Sequence, residues 1–341
     1  MRQLTAIDIV LADGSAVTAD STGPYSDLFW ALRGGSGASF GVVTHFTANL
    51  FQMPTGSMFF LKLYCTVEVL NLWQTFFVTA PNELNAQFQM SGSDSWINGQ
   101  YLGSLTDLES LFQNAGILNM QSLIWSRFDS CSGINAKAYL IGGLNCQPSD
   151  LALLNTYPIE PSPKDETKAK TDNFNKLMPA TVMTAVVNLL LADPNTNIYG
   201  HSLGGNGLFA SQPPSATPFA DRSAWYTLEY HYKSTTQGQY YPGSTSYVWL
   251  NTLSNLVAPY TSGYKYINYQ DFDLPSNYGV LYWGAENFQR LIQIKNKYDP
   301  TNFFNNPQSI PLSYNFTSTA PTTETTAAPT GLFLFCLYRF G

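Results

Sequence analysis

The sequence contains one motif typical of a catalytic nucleophile, Gly200-His201-Ser202-Leu203-Gly204. This G-x-S-x-G spacing is found at the nucleophile elbow of α/β-hydrolases, where a strand precedes the serine and a helix, an acid and a histidine follow it. No helix is predicted after the motif, and the only later histidine, His231, follows too soon for an acid-bearing strand to lie between. We therefore expect a glycine-rich turn here, and hydrolysis through Ser202 is the least favoured hypothesis.

A second candidate is the run Gly34-Gly35-Ser36-Gly37, which resembles a dinucleotide-binding loop. The G-x-G-x-x-G fingerprint fails because Phe40 stands where the third glycine is required, and the run follows a predicted helix rather than a strand. A Rossmann fold is therefore not predicted. The run still leaves backbone without Cβ cover beside a predicted strand, so a flat or phosphorylated ligand could approach it closely.

Metal and thiol chemistry are not indicated by the cysteines and histidines. Four cysteines show no C-x-x-C spacing, and the chain has only three histidines, so we expect no metal site. Cys131 and Cys146 are expected to form a disulfide if the protein is secreted.

The elements that would position these residues indicate an antiparallel α+β fold, since strands and helices mix without regular βαβ alternation. The Asp13-Gly14 turn favours a hairpin of strands 4–11 and 15–19, because such turns need a positive φ. Further strands are predicted at 40–51, 57–64, 84–89, 97–102, 196–200, 206–211, 224–233 and 264–269. Helices are predicted at 27–32, 67–77, 105–115, 165–178, 181–192, 244–259 and 285–298.

Composition limits the partners of the 341-residue chain. Charged residues make up 11%, against about 25% in average globular proteins, and aromatic residues reach 15%. The net charge of −7 gives no cationic field for nucleic acid or acidic lipid, and no apolar run reaches the ~18 residues of a membrane span. A tyrosine-rich, uncharged surface favours a secreted protein that handles neutral sugars, although low charge could also be a compositional habit of the source.

Two distant segments carry a family resemblance. Residues 27–44 (DLFWALRGGSGASFGVVT) resemble the closing segment of the FAD-binding domain in berberine-bridge-enzyme-like oxidases, members of the vanillyl-alcohol-oxidase/PCMH-type flavoprotein superfamily. Residues 266–274, 287–291 and 297–311 resemble the carboxy-terminal signature of the same family, in the right order. The resemblance covers about residues 4–311.

The resemblance implies a substrate domain with an antiparallel sheet flanked by helices, plus a partial PCMH-type FAD-binding domain made from both chain ends. The implied domains are a remnant of the FAD-binding domain (1–55), the substrate-binding domain (56–262), a berberine-like segment that returns to the FAD domain (263–311) and a Thr/Pro-rich tail (312–341). The implied cofactor is FAD.

The resemblance also assigns site residues. Tyr269 falls at the position of the family's catalytic base, and Glu229 falls where a Gln or Glu partners that base. A free tyrosine has a pKa near ~10, so it must be depressed or coupled to a partner to act as a base near neutral pH. The alternative is that Tyr269 is one of 21 tyrosines and only packs at a strand end. The expected FAD contacts are Gly41, Val42, Val43 and Asn268.

The departures from the family pattern concern its amino-terminal part. Nothing here corresponds to the diphosphate-binding loop or to the histidine that tethers FAD, and neither His45 nor Cys65 matches a tether. The resemblance therefore implies a shortened member of the family, and inactivity through truncation is one of the expectations.

The leading hypothesis is an FAD-dependent oxidoreductase that oxidises an alcohol, such as the anomeric carbon of an oligosaccharide, with O₂ as acceptor. The alternative is a flavin-free remnant that binds a carbohydrate or phenolic ligand. We expect a small-molecule substrate, no nucleic-acid or membrane partner, a monomer, and a secreted protein, although no signal peptide opens this chain.

Overall fold

The computed structural model describes residues 3–37, 39–50, 55–132, 135–139, 146, 166–203, 207–234, 238 and 240–316. Cys336 and most of the predicted tail lie outside this part of the chain, as does Gly204 of the serine motif. The strands are β1 (Leu4–Val10), β2 (Ala16–Asp20), β3 (Val42–Ala48), β4 (Thr55–Leu63), β5 (Leu84–Ser91), β6 (Ser95–Tyr101), β7 (Leu123–Ser132), β8 (Glu166–Phe174), β9 (Thr196–Ser202) and β10 (Tyr226–Ser234).

The helices complete a mixed architecture that confirms the predicted α+β class with an antiparallel sheet. Helix α2 continues directly into a π-helical turn, Trp73–Phe77. The α-helices are α1 (Ser26–Leu32), α2 (Val67–Leu72), α3 (Leu105–Asn114), α4 (Asn135–Ala138), α5 (Ala180–Ala192), α6 (Thr245–Val257), α7 (Tyr278–Trp283) and α8 (Ala285–Tyr298).

A three-stranded sheet of order β2-β1-β3 begins with the predicted hairpin. Gly14 at its turn has φ +82°, and the Asp13 carboxylate accepts a hydrogen bond from the Ser15 N–H at 2.9 Å. Ile7 and Ile9 of β1 bury their side chains against residues from the other end of the chain, including Trp283 and Phe288. We call β1–β3, α1, α7 and α8 the end unit, because residues near both chain ends share its core.

Helix α8 spans the predicted residues 285–298 and holds the end unit together. Its apolar face, which includes Leu291, packs into the shared core. On the same helix the Lys295 side chain is fully buried. Its ammonium donates to the carbonyl oxygens of Ser39 and Phe304 and to Asp299 Oδ2, at 2.7, 2.6 and 2.6 Å. Because an ammonium has three N–H donors, this buried charge is fully satisfied.

A seven-stranded antiparallel sheet has the order β7-β4-β6-β5-β9-β10-β8. Strand side chains alternate between the two faces, so Leu61, Phe88, Ile198 and Tyr230 share one face. That inner face packs against α2, α3, α5 and α6 in a second hydrophobic core. We call β4–β10 and these four helices the sheet unit, and the face opposite the helices its outer face.

One predicted helix is a strand. Residues 165–178 were expected to be helical, but Glu166–Phe174 forms β8 and pairs with β10 along its whole length. Its Glu, Lys and Ala residues favour a helix locally, whereas Phe174 and Asn173 are completely buried in the sheet. Tertiary pairing therefore overrides local propensity here.

Two predicted strands are wrong. Within 206–211, the described residues 207–211 form turns, and within 264–269 the chain also turns, with the Tyr269 N–H bonded to the Tyr266 carbonyl at 3.0 Å. Neither segment pairs with a strand among the described residues. The aromatic residues in both segments pack against other rings instead of alternating across a sheet.

Candidate active site

A cavity of about 1240 Å³ lies between the end unit and the outer face of the seven-stranded sheet. The end unit contributes an apolar wall that includes Ile7, Phe40 and Val43, and the sheet contributes His201 and Thr227. The segment that joins the two units closes one side with Tyr266, Asn268 and Tyr269. A concave, largely apolar space with a few polar groups is typical of a cofactor or substrate site, and this one exceeds the usual volume for a single small ligand.

The structure brings Tyr269 and Glu229 together at this cavity. Glu229 lies on β10 and is 7% exposed, while Tyr269 lies in the turn that follows Tyr266 and packs edge-on against its ring at 5.4 Å. Burial, together with the charge of Glu229 and a hydrogen bond to its carboxylate, raises the pKa of Tyr269 above its ordinary value. The phenol is therefore protonated at neutral pH and donates to Glu229, so the two act as a coupled pair.

Aromatic and imidazole rings surround the Glu229 carboxylate on the outer face. His231 Nε2 lies 2.8 Å from Glu229 Oε1, and the Tyr199 ring packs edge-on against His231 at 4.9 Å. Burial, and next the charge of Glu229, raises the pKa of Tyr199. Burial lowers the pKa of His201, although Glu229 opposes this, so that imidazole is neutral at pH 7 and can both donate and accept a hydrogen bond.

Ion pairs fix the backbone just beyond Tyr269. Lys168 and Lys170 of the edge strand β8 reach Asp271 at 2.7 and 2.9 Å, and both lie 3.2 Å from Asp273. Burial opposes the charge of Lys170, but the carboxylates of Asp271 and Asp273 outweigh it and raise its pKa. The pairs attach the Tyr269 turn to the sheet that carries Glu229.

The same turn is attached to the end unit by a buried hydrogen-bond chain. The Asp271 N–H donates to the Tyr282 hydroxyl at 3.0 Å, which donates to Gln308 Oε1 at 2.9 Å. The Gln308 amide in turn donates to the Asp271 carbonyl at 2.7 Å. Asp271 is thus held from both units, and its position determines where Tyr269 points.

The expected cofactor contacts divide into two groups. Gly41, Val43 and Asn268 line the cavity, whereas the Val42 side chain is 58% exposed and is not part of the lining. A Cβ on Gly41 would overlap the Val10 carbonyl oxygen, so a glycine is needed where β3 begins against β1.

Unsatisfied polar atoms at the cavity fit a polar, partly flat cofactor such as FAD. Ser39 is 1% exposed and its Oγ has no hydrogen-bond partner, and Arg222 Nε is likewise buried and unpaired. The Arg222 guanidinium lies over the Phe209 ring at 4.9 Å, and both residues line the cavity. Buried polar atoms without partners are costly, so a ligand with acceptor and donor groups would stabilise this wall.

The serine motif does not form a nucleophile elbow. Ser202 ends β9, and its hydroxyl exchanges hydrogen bonds with the backbone of Ala86 at 3.1 and 3.2 Å. Ser202 pairs with Tyr226 and His231 with Asn197, so the two side chains are five rungs apart along the ladder, or about 17 Å, and on opposite faces. Nothing in this arrangement supports hydrolysis.

The cysteines and acidic groups add two findings. Cys131 and Cys146 form the expected disulfide, with their Cα atoms 5.3 Å apart, while burial raises the pKa of the Cys65 thiol to about 11.

Within the described ranges, no three His, Cys, Asp or Glu side chains gather in a way that could hold a metal ion. The described helices include none that is both long and apolar enough to cross a bilayer.

Sequence reasoning missed Tyr199, His201 and Asp271 as site residues. A period of two was the available signal, because Tyr199 and His201 alternate on β9 just as Glu229 and His231 do on β10. The two strands are separated along the chain, so no short sequence motif indicates that β9 pairs with β10.

Comparisons with known proteins find similar sequences and similar folds. The family model "Berberine and berberine like" matches residues 265–311. The chain is 28% identical over 342 residues to the FAD-linked oxidoreductase pynB of Aspergillus niger, covering 89% of this chain and 62% of that protein. The structure of BBE-like 1 from Physcomitrella patens superposes with a TM-score of 0.79 at 25% identity, over 92% of this chain and 66% of that one.

The chain is similar in sequence and in fold to the berberine-bridge-enzyme-like flavoproteins. The resemblance predicted from the two end segments is thereby confirmed, and FAD is the cofactor named for the relatives. A further neighbour, wild-type Phl p 4.0202, is described as a glucose dehydrogenase and superposes with a TM-score of 0.73 at 26% identity, over 91% of this chain and 65% of that one. The chain thus spans less than two thirds of the length of these berberine-bridge-like relatives.

Proposed function

We propose that this chain functions as an FAD-linked oxidoreductase that oxidises an alcohol at the Tyr269–Glu229 pair. The observation that carries the proposal is Tyr269 at the wall of a large cavity that Gly41, Val43 and Phe40 also line, with the Glu229 carboxylate beside its phenol. The relatives supply the redox chemistry by analogy, since one is named an FAD-linked oxidoreductase.

The roles of the chain's own residues follow from their protonation. FAD, when bound, would supply the hydride acceptor for oxidation of the carbon that bears the hydroxyl group. The Tyr269 phenol orients that hydroxyl group. As the hydroxyl proton moves to the phenol oxygen, the phenol proton moves to the Glu229 carboxylate beside it. The His231 imidazole lies beside this carboxylate, with its Nε2 atom 2.8 Å from Glu229 Oε1.

We assign the cofactor to the wall made by both chain ends, which would form part of a PCMH-type FAD-binding domain. Gly41 and Val43 would offer backbone and methyl contacts, and Asn268 would face the cofactor from the connecting segment. Ser39 and Arg222 supply unpaired polar atoms at the same wall. Val42 would act through its backbone, because its side chain is exposed.

The substrate we propose is a neutral sugar, oxidised at its anomeric carbon with O₂ as the acceptor. Its support is the low charge of the chain, the neutral state of His201, and a neighbour described as a glucose dehydrogenase. We further propose that the protein is a secreted monomer, since a disulfide such as Cys131–Cys146 forms and persists in oxidising compartments.

The test is to purify the full chain, add FAD, remove the excess by gel filtration and record the visible spectrum. Retention of stoichiometric flavin, followed by its bleaching when a reducing sugar is added without oxygen, would support the proposal. A Tyr269→Phe protein should retain the flavin but bleach much more slowly. A chain that retains no flavin would contradict the proposal.

A further inference from the structure

Two arginines that are far apart in the sequence lie beside each other on the end unit. Arg33 follows the last turn of α1, and Arg290 lies on α8 with its guanidinium over the Trp30 ring, 3.9 Å from the ring centroid. Trp30 and Arg33 are three residues apart, so they share one side of the end of α1. Burial, and next the charge of Arg290, lowers the pKa of Arg33. Two like charges therefore meet at this place.

Neither guanidinium is neutralised by an acidic side chain in the described part of the chain. Arg290 makes no hydrogen bond to those residues, and Glu286, one turn before it on α8, forms no ion pair with either arginine. The Asp27 carboxylate of α1 is already paired with Lys297 at 2.8 Å. The positive charge of the two arginines is thus left for a partner from outside these residues.

Aromatic rings hold both guanidiniums in place. Arg33 lies over the Phe29 ring, 4.5 Å from its centroid, and its Nε donates to the Phe29 carbonyl at 3.3 Å. Stacking uses the face of a guanidinium and leaves N–H groups at its edge, where their planar fork matches a carboxylate or a phosphate. Arg33 lines the cavity, whereas Arg290 is exposed and does not, so the two arginines lie where the cavity wall meets solvent.

The combined charge of the two arginines favours one class of anion. A carboxylate carries a single negative charge and would neutralise only one of them. A phosphate monoester carries about −1.5 to −2 near pH 7 and has three strong acceptor oxygens. Such a group would accept hydrogen bonds from both guanidiniums at once, and α1 and α8 would then be joined through it.

We propose that Arg33 and Arg290 bind the phosphate group of a small molecule, at a site separate from the candidate active site. The bound phosphate bridges α1, near one end of the chain, to α8, near the other end, and so stabilises the end unit. The site is independent of the proposed oxidation, because it requires neither flavin nor Tyr269.

The test is isothermal titration calorimetry of the full chain with inorganic phosphate, near neutral pH and at constant ionic strength. We expect a dissociation constant on the order of 1 mM, and about tenfold weaker binding by Arg33→Gln and by Arg290→Gln. Arg33→Lys and Arg290→Lys keep the charge without the planar fork and should show intermediate affinities. Lys297→Gln is the matched control on the same helix, since Lys297 is 53% exposed and paired with Asp27, and it should bind phosphate as the wild-type chain does.

Hydrogen exchange provides a second measurement, of the bridge itself. Saturating phosphate should slow the exchange of α8 amides in the wild-type chain and leave the amides of β10 unchanged. Arg290→Gln should abolish this slowing. Melting curves recorded without phosphate show whether each variant is folded.

The absence of phosphate binding to the wild-type chain would overturn the proposal, as would unchanged affinity in both glutamine variants. Acetate that binds as tightly as phosphate would also overturn it, because the site would then not select a doubly charged anion. If saturating FAD displaces phosphate, the two arginines belong to the cofactor site and the proposal fails. It also fails if a short DNA duplex binds through the same arginines far more tightly than phosphate, since the partner would then be a macromolecule.

Discussion

The two units of this protein bury their sheets to different degrees. The seven-stranded sheet covers its inner face completely with helices, and residues such as Phe59 and Ile97 are inaccessible to solvent. In the three-stranded sheet the edge strand β3 is exposed over most of its length, with Val42 at 58% and Phe46 at 68%. The sheet unit is thus stabilised by its own apolar packing, whereas the end unit presents an apolar strand of the kind that ligands or protein partners cover.

The end unit also contains an ion pair whose two side chains are completely buried. Its buried Lys295–Asp299 pair joins α8 to the chain around Ser39 and Phe304. A core that depends on such a pair loses much of its stability when one partner is removed. We therefore expect the end unit to open before the sheet unit, and the following predictions test that difference from the largest effect to the smallest.

The largest effect is expected at Tyr269 and Glu229, where the two units meet. Tyr269→Phe and Glu229→Gln should each lower kcat by about 10²- to 10⁴-fold in the FAD-loaded chain, because each removes one of the two groups in the path of the substrate proton. Steady-state oxidation of a reducing sugar measures this, and the melting temperature should hardly change. Ser202→Ala is the control and should retain full activity, since the Ser202 hydroxyl is bonded to the backbone of Ala86 on the neighbouring strand β5. Equal losses in all three variants would contradict the assignment.

A large loss of stability is expected from Lys295→Met. Removing the ammonium leaves Asp299 buried and unpaired, which costs about 3–5 kcal/mol of the free energy of unfolding. Urea unfolding gives the magnitude, and hydrogen exchange should show that amides of β1 and α8 lose protection before those of β10.

The matched control is Lys297→Met on the same helix. Lys297 is 53% exposed and pairs with Asp27 at 2.8 Å, so its loss should cost less than about 1 kcal/mol. Similar losses in the free energy of unfolding from the two lysine variants would contradict the expectation that the end unit depends on its buried ion pair.

Acid should weaken the end unit selectively. Burial opposes the charge of Asp299, but hydrogen bonds from Lys295 and from the N–H groups of Phe304 and Phe303 outweigh it and lower its pKa. The folded carboxyl therefore titrates below its unfolded value near ~3.9, so its stabilisation is complete at pH 7 and is lost as the pH falls below about 4. Melting curves between pH 7 and pH 3 test this, and the slope should be shallower in Asp299→Asn.

The smallest effect on stability is expected at the exposed strand. Phe46→Lys should change the free energy of unfolding by less than about 0.5 kcal/mol, because the ring is largely in solvent already. It should nevertheless reduce self-association at high protein concentration, as measured by light scattering, since a charge on an edge strand hinders pairing. Unchanged self-association would indicate that β3 does not mediate contacts between copies of the chain.

The fold was predictable where signals are local, and the site only where a family resemblance supplied it. The hairpin around Gly14 and the helix Ala285–Tyr298 follow from turn chemistry and from apolar spacing within a single segment. Strand β8 was mistaken for a helix because its identity depends on pairing with β10, which lies about 60 residues away along the chain.

The candidate site shows the same limit. Tyr269 and Glu229 came from the resemblance, and their hydrogen bond required the fold. The contributions of Tyr199, His201 and Asp271 could not be predicted, because three separate segments must meet before those residues surround the carboxylate.

Because the Lys295 ammonium is buried, chemical labelling of this lysine can measure how often the end unit opens. An amine-acylating reagent should modify Lys297 readily and spare Lys295, because only the first amine reaches solvent while the unit is closed. The two lysines lie on one helix and are released in neighbouring peptides, so each serves as the internal standard for the other. Their labelling ratio, read by mass spectrometry, would report how often the chain ends part, even in unpurified material with no flavin or substrate present.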